Sequence, residues 1–295
     1  MKRTKQRSGV LAGIDKGIEQ MLEQYLKARG WTYRWQQQVN CKLPEAIILQ
    51  NGKPVAVIEA TFLPSIEPDS QKPAEVAFAE EAKDKIFHAS ELTKENLSYA
   101  LQECLQRKHR QSTAAAQQNL PFLLAMWGKV LKGVPQYVLK LLKNYPEVSA
   151  LGMLHRDSAL MIAYRMRKAS LTPDAKCLLG LIEELLQRRW RVKLEQILEA
   201  PSRVPDVELS WMEILHNPFA THPWRDDLRG VYDHVYVWSE KEKQWLAQYD
   251  GTSAVLRTLA TRLLAGIVNA PFTDDVVTSR SENFYEEREP TLHTA

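Results

Sequence analysis

Apolar residues recur at three- and four-residue spacing near the start of the chain, and this spacing places them on one face of a helix. The pattern predicts an amphipathic helix over residues 11–29. Gly30 ends it, because glycine readily adopts the left-handed conformation found at helix C-termini. The residues of the apolar face are Ile14, Ile18, Met21, Leu22, Tyr25 and Leu26.

Three strands are predicted after this helix, over residues 31–39, 43–49 and 55–62. Asn51 and Gly52 separate the second strand from the third. This pair is a strong signal for a two-residue β-hairpin, because both residue types tolerate positive φ. The predicted order at the N-terminus is therefore helix, strand, strand, strand.

The segment that follows predicts a loop, a helix and a connection. Prolines break residues 63–73 into a loop, and a helix is predicted over residues 74–110. The polar stretch 111–119 is predicted to be either a mobile connection or a weak helix end, and it marks the boundary between two domains. The N-terminal domain is accordingly expected to span residues 1–110.

The rest of the chain predicts a mixed α/β region over residues 120–272 that is largely helical, and a flexible polar tail over residues 273–295. Two apolar runs flank the polar residues Arg156-Asp157-Ser158, which predicts a second hairpin. The predicted elements are helices over 121–142, 173–198 and 253–268, a strand over 207–215, and hairpin strands over 148–155 and 159–166.

Composition is ordinary for a soluble globular protein: of 295 residues, 44% are hydrophobic and 25% are charged, which excludes fibrous and wholly disordered classes. No apolar run is long enough for a transmembrane helix, and the N-terminal segment has no apolar signal core. We therefore expect a cytoplasmic protein without a membrane partner. Cys41, Cys104 and Cys177 lack metal-ligand spacing and are expected to be buried thiols.

A net charge of +3 does not by itself indicate a nucleic-acid partner. Several clusters nevertheless interleave cations with aromatic residues, as single-strand binders do. The alternative is that each cluster is a solvated face whose arginine stems cover apolar surface, and the sequence leaves both interpretations open. The candidate nucleic-acid-binding residues are Arg34, Trp35, Arg107, Lys108, Arg110, Arg188, Arg189 and Arg191.

Three histidines, His216, His222 and His234, lie close together in a segment rich in proline and aromatic residues. Their spacing fits no common zinc site, so a loop packed by aromatic side chains is favoured over a metal or substrate loop. The chain also has no glycine-rich loop followed by lysine and serine or threonine, so nucleotide hydrolysis is not expected.

Two carboxylates flank the first predicted hairpin: Glu45, which follows Pro44, and Glu59 near the end of the third predicted strand. Because alternate side chains share a strand face, Glu59 and Thr61 point the same way, and pairing through the hairpin brings Glu45 towards Glu59. Such a pair could bind Mg²⁺, which activates water and offsets charge on a phosphodiester. The alternative is a set of exposed or salt-bridged acids on an ordinary αβ unit. Burying Glu59 without a partner or metal would be costly.

Over residues 17–62, the chain resembles the PD-(D/E)XK nuclease superfamily, which has the restriction-endonuclease-like fold. The resemblance implies an N-terminal αβββ core that forms a nuclease domain and uses Mg²⁺ or Mn²⁺. Glu45 and Glu59 correspond to the two metal carboxylates, and Glu19 to a supporting or second-metal residue. The matching residues are Gly17-Ile18-Glu19, Tyr25-Leu26, Gly30-Trp31, Pro44-Glu45 and Val55-Ala56-Val57-Ile58-Glu59-Ala60.

Thr61 departs from the family pattern, which places a lysine two residues after the second carboxylate. A threonine hydroxyl cannot supply the cation that orients the attacking water and neutralises developing charge. Lys53 is too far away at the hairpin tip. A lysine from elsewhere, such as Lys72 or Lys83, would have to fold back towards the carboxylates.

Two hypotheses follow from the resemblance. The first is a Mg²⁺-dependent endonuclease that acts on DNA rather than RNA, in a defence or mobile-element system, with Glu19, Glu45, Glu59 and Thr61 in its active site. The alternative keeps the fold without the chemistry: an inactive subunit that binds nucleic acid or protein partners in a larger nucleoprotein assembly.

Overall fold

A computed structural model describes residues 9–36, 44–62, 94–127, 135–167, 169, 171–197 and 204–268 of the chain. Within these residues the fold is mixed α/β, with one eight-stranded sheet and six α-helices. The strands are β1 Thr32–Trp35, β2 Ala46–Gln50, β3 Lys53–Phe62, β4 Phe122–Trp127, β5 Ala150–Ser158, β6 Glu208–His216, β7 His234–Ser239 and β8 Gln244–Asp250. The helices are α1 Gly9–Ala28, α2 Lys94–Ala116, α3 Pro135–Leu142, α4 Ala159–Met166, α5 Pro173–Leu185 and α6 Thr252–Val268.

The strands lie in the sheet in the same order as in the chain. The first three are antiparallel, whereas β3, β4 and β5 are mutually parallel. After β5 the pairing becomes antiparallel, then parallel, then antiparallel again towards β8. The carboxyl ends of β3, β4 and β5 therefore meet at one edge of the sheet.

The predicted hairpin between β2 and β3 is confirmed. Asn51 and Gly52 occupy its turn with φ of 52° and 75°, the positive values that a type I′ turn requires. The register pairs Ala46 with Ile58 and, at the turn, Gln50 with Lys53. This register places Glu45 beside the end of β3, and the site below depends on it.

The two faces of the sheet are covered by different helices. The apolar stripe of α1 packs with Ala56, Ile58 and Ala60 of β3 in one core. The stripe of α2 packs in a second core with Val57 of β3 and with β4. Because side chains alternate along a strand, Glu59 faces α2 and the core residues next to it face α1.

A third core lies beyond the carboxyl end of β5. It joins α4, α5, α6 and the π-helical turn Leu186–Trp190 that continues α5. We call these four elements the helical lobe. They pack around Leu160, Ile182, Leu209 and Leu259, and the lobe attaches to the sheet through β5 and β6.

A buried network ties α1 to the segment before β7. Asp233 is fully buried and forms an ion pair with Arg29. It also accepts hydrogen bonds from the Tyr25 hydroxyl at 2.7 Å and from the backbone N–H groups of Met212 at 2.9 Å and Gly230 at 2.5 Å. One carboxylate thus holds the N-terminal helix against the C-terminal half of the sheet.

Several sequence predictions are confirmed: the helices near residues 11–29 and 253–268 and the strand near residues 207–215 correspond to α1, α6 and β6. The helix predicted over 173–198 ends as α5 at Leu185 and continues only as the π-helical turn to Trp190. Three further elements match their predictions in the parts that the structure describes. β1 and β2 match the strands predicted over 31–39 and 43–49, and α2 includes the described end of the helix predicted over 74–110.

Three predictions are wrong, and one of them is the burial of Cys177, which is exposed. Residues 122–127 form a central strand rather than a helix, because a parallel strand buried on both faces is a continuous apolar run that periodicity cannot distinguish from a helix. The second hairpin is a strand followed by a helix. Ser158 caps α4 by accepting a hydrogen bond from the Met161 N–H at 3.1 Å, so the chain turns into a helix where a hairpin turn was predicted.

The predicted connection over residues 111–119 lies partly in α2, which continues to Ala116. The sheet runs without a break from β3 to β4, so strands from both predicted domains share one sheet. The region after residue 120 contains five strands, β4 to β8, besides its helices. The division into domains stays a prediction.

The predicted tail over 273–295, Cys41, Lys72 and Lys83 lie outside the described residues. Within the described part of the chain, no helix combines the length and apolar character needed to cross a bilayer.

Candidate active site

The hairpin brings the carboxylates of Glu45 and Glu59 together, as predicted. The two residues are 14 apart in sequence, and the backbone N–H of Glu45 donates to Oε2 of Glu59 at 3.2 Å. In return, Oε2 of Glu45 accepts from the backbone N–H of Ala60 at 3.1 Å. These reciprocal bonds fix both side chains at the carboxyl end of β3.

The cation of the site comes from α2. Lys108 donates from Nζ to Oε1 of Glu59 in a short ion pair, and the same Nζ lies 3.7 Å from Oε1 of Glu45. Thr61, at the expected lysine position, contributes no cation. The site is therefore a Glu–Glu–Lys triad, Glu45, Glu59 and Lys108, assembled from a strand hairpin and a helix.

Lys108 was predicted to belong to a surface basic cluster, but the structure places it against the sheet. Leu101, Cys104 and Leu105 are buried on the same helix face at three- and four-residue spacing, and Lys108 continues that stripe. Its neighbours Arg107 and Arg110 lie on the exposed side of the helix. The apolar spacing that ends in Lys108 was the sequence signal that could have identified it.

Burial is the main influence on the protonation of Glu45. The side chain of Glu59 is 2% exposed and that of Glu45 is 15% exposed. Burial, followed by the hydrogen bond and charge of Glu59, raises the pKa of Glu45 to about 9. Glu45 consequently holds a proton at neutral pH.

Lys108 keeps its charge in spite of its surroundings. Burial acts to lower the pKa of the Lys108 ammonium, but the charges of Glu59 and Glu45 act in the other direction and raise it above the ordinary value. The ammonium is thus held between two carboxyl groups, where it compensates the charge of Glu59.

Thr61 lies beneath α2 and does not take the role of the expected lysine. It is buried on the same strand face as Glu59, and its side chain forms a hydrogen bond with the thiol of Cys104. Burial raises the pKa of this thiol. The residue at the family's lysine position therefore serves the packing between β3 and α2.

Glu19 is half-buried on α1, the helix that covers the opposite face of the sheet from Glu59. Among the described residues, no group of three or more histidine, cysteine, aspartate or glutamate side chains is arranged to hold a metal ion. Glu19 does not join Glu45 and Glu59 in such a group, and its catalytic role stays a prediction.

The donor set of the triad fits a hard divalent cation. Glu45 and Glu59 offer only oxygen atoms, which suit Mg²⁺, and this ion commonly keeps several waters when only one or two carboxylates bind it. Binding there requires that Glu45 release its proton and that the ammonium of Lys108 move away from the carboxylates. Metal binding is thus coupled to the protonation of the site.

The other predicted binding residues named on β1 and on the helical lobe belong to separate elements of the fold. Arg34 is exposed on the edge strand β1, and the neighbouring Trp35 is half-buried with its ring 6.3 Å from that of Tyr33. Arg188 pairs with Glu184 on the helical lobe, where Arg189 and Arg191 are exposed. Their roles in binding stay predictions.

The predicted histidine segment is spread over two parts of the sheet. His216 is at the end of β6, where burial lowers its pKa. His234, at the start of β7, lies beside the ring of Trp211 at 5.0 Å and beside Asp250 at 3.1 Å. His222 lies in the connection between β6 and β7 and contributes its backbone carbonyl to Ser149.

Comparison of the chain with protein-family models, with curated proteins and with solved structures finds no match.

Proposed function

We propose that this protein is a Mg²⁺-dependent nuclease that hydrolyses phosphodiester bonds of DNA, with a restriction-endonuclease-like N-terminal core. The observation that carries the proposal is the contact of Lys108 with Glu59 and Glu45. It supplies, from α2, the cation whose absence at Thr61 was the main departure from the family pattern.

The order of elements also supports the proposal. The chain begins α1, β1, β2, β3, which is the αβββ order expected from the resemblance. Glu45 and Glu59 flank the hairpin, and both lie at the carboxyl end of β3. In open α/β sheets this edge commonly holds the functional site.

Each residue of the triad has a distinct role in the proposed reaction. A bound divalent ion would supply a Lewis acid that activates water and offsets phosphate charge. Glu45 and Glu59 would hold that ion, with Glu45 positioned by the N–H of Ala60. Lys108 compensates the negative charge that develops on the phosphodiester as it is attacked.

A second candidate function is supported by the charge balance of the triad. Lys108 already neutralises Glu59, Glu45 holds a proton, and a third acidic ligand is lacking among the described residues. Because its charges are compensated in this way, the triad does not need a metal ion to balance them. Such a protein would be an inactive nuclease-fold subunit that binds nucleic acid or protein partners, for example in a defence or mobile-element assembly.

Calorimetric titration of Mg²⁺ and Mn²⁺ into the wild type and Glu59→Gln, followed by incubation with plasmid and single-stranded DNA, distinguishes the two functions. The nuclease hypothesis expects metal binding and metal-dependent cleavage in the wild type, and loss of both in Glu59→Gln. Glu147→Gln is a matched control, because Glu147 is also partly buried on the α2 side but contacts His109 instead of the triad.

The opposite result has a definite meaning. A wild type that binds no metal and leaves both DNA substrates intact would contradict the nuclease hypothesis. DNA binding that is equal in the wild type and Glu59→Gln would then favour the inactive subunit.

A further inference from the structure

The outer face of α6 forms one wall of an open groove of about 440 Å³. The opposite face of the helix, which includes Leu256, Leu259 and Leu263, is buried in the core of the helical lobe. No residue of α6 is acidic. The groove is lined by Val207, Arg257, Thr258, Thr261, Arg262 and Ala265.

The two groove arginines have no counter-charge among the residues that the structure describes. Arg257 and Arg262 form no ion pair or side-chain hydrogen bond with any residue that the structure describes, whereas other arginines of the lobe do: Arg165 pairs with Asp157, and Arg188 with Glu184. Desolvated or paired arginines would indicate a structural role. Exposed arginines that share one groove and lack acids indicate an anionic ligand.

The two acids next to Val207 in the chain already have other partners. Val207 lies between Asp206 and Glu208 in the chain. Asp206 accepts hydrogen bonds from Ser158 and from the N–H of Leu160 at 3.2 Å, and Glu208 accepts from Arg156 at 2.7 Å. Neither acid forms an ion pair or hydrogen bond with the groove arginines, so neither one compensates the positive charge of the groove.

Two further cations flank a residue that contacts the same helix. The indole of Trp190 lies against Gly266, 3.5 Å from the position that a Cβ on that glycine would occupy, near the C-terminal end of α6. Arg189 and Arg191 flank Trp190, are exposed, and also lack an ion pair with any described acid. The segment that contacts α6 near Gly266 thus also carries exposed arginines.

We propose that this groove binds the phosphodiester backbone of a nucleic acid, a ligand class that rests on the proposed function. Arginine forks match phosphate oxygens, and the Thr261 hydroxyl is a further donor in the groove lining, whereas Thr258 already donates its hydroxyl to the Ala254 carbonyl at 3.0 Å. The location of the groove is consistent with one nucleic acid that contacts both the groove and the triad. The lobe follows β5 directly, at the sheet edge where the parallel β3 also ends beside Glu59.

The groove is tested by fluorescence anisotropy of a labelled DNA duplex, and of its single strand, with full-length wild type in EDTA so that metal-dependent cleavage cannot occur. Arg257→Ala/Arg262→Ala is expected to weaken binding about tenfold. It is also expected to reduce the slope of log affinity against log salt concentration by about two, because two phosphate contacts are lost.

Matched variants distinguish the effect of the groove arginines on DNA binding from the effect of total charge. Lys241→Ala/Lys243→Ala removes the same charge from the exposed turn between β7 and β8, and is expected to bind DNA as the wild type does. Arg257→Lys/Arg262→Lys retains the charge and is expected to retain most of the salt dependence. Circular dichroism of each variant checks that α6 remains folded.

The proposal is overturned if neither form of DNA binds the wild type, or if the alanine variant binds with wild-type affinity and salt slope. It is also overturned if poly-glutamate displaces DNA from the wild type at equal charge concentration, since the groove would then prefer an acidic polypeptide. Because no metal is present, these results are independent of whether the triad cleaves DNA. DNA binding that is lost in the alanine variant supports the groove even if the wild type never cleaves.

Discussion

Lys108 donates a hydrogen bond to Glu59 from a helix that lies outside the segment containing both carboxylates of the site. The lysine of the triad and its acids therefore come from separate parts of the chain. Thr61, two residues after Glu59, does not have to supply the cation and instead contacts Cys104.

Removal of the Lys108 ammonium is expected to separate metal binding from catalysis. Lys108→Met should bind Mn²⁺ more tightly than the wild type, because no ammonium competes for the carboxylates. Its cleavage rate should fall on the order of a hundredfold or more, because the charge that stabilises the transition state is lost. Calorimetric titration and plasmid nicking measure the two effects.

A second variant tests whether a lysine on β3 can replace Lys108 of α2. Thr61→Lys/Lys108→Met places a lysine on the same strand face as Glu59, two residues further along β3. We expect it to cleave faster than Lys108→Met. A double variant no more active than the single one would argue that Lys108 serves only to neutralise Glu59.

The acidic pair was predictable because its geometry is local. Asn51 and Gly52 specify the hairpin turn, and the hairpin determines which residues of β2 and β3 lie opposite each other. Glu45 and Glu59 follow from that register. The sequence contains all the information needed for this half of the site.

The cation was not predictable in the same way, because its position depends on how α2 packs across the sheet. The residues around Lys108 suggested a basic surface, and three of the four residues from Arg107 to Arg110 are indeed exposed. Only the buried stripe that Lys108 continues distinguishes it from them. β4 was missed for a related reason, since its apolar run has no period that identifies a strand.

The pH dependence of stability should reveal the proton on Glu45. Its pKa is raised to about 9 in the folded protein, above the value of roughly 4.3 in an unfolded chain. Between these two pH values the folded state therefore binds more protons than the unfolded chain. The stability that the protonated Glu45 contributes is fully present below the unfolded pKa and is lost as pH rises towards the folded pKa. The loss is at most about 1.4 kcal/mol per pH unit.

Glu45→Gln mimics the protonated side chain and should remove this dependence. We expect the variant and the wild type to have similar free energies of unfolding near the unfolded pKa, and the variant to become the more stable as pH rises through neutrality. Urea denaturation across this range measures the difference. Parallel curves for the two proteins would show that Glu45 is ionised in the folded state.

The network around Asp233 should dominate the attachment of α1. In Asp233→Ala, Arg29 would remain buried without its carboxylate, and Tyr25 would lose its hydrogen-bond acceptor. Removing one partner of a buried ion pair commonly costs about 3–5 kcal/mol in free energy of unfolding. Urea denaturation of the wild type and the variant measures this cost.

Asp227→Ala is the matched control for Asp233→Ala. Asp227 also pairs with an arginine, Arg225, but its side chain is 50% exposed. Exposed ion pairs contribute about 0–1 kcal/mol, so this variant should unfold close to the wild type. If both variants had equally small effects, Asp233 would not hold α1 against the sheet, and the N-terminal helix would depend on its apolar stripe alone.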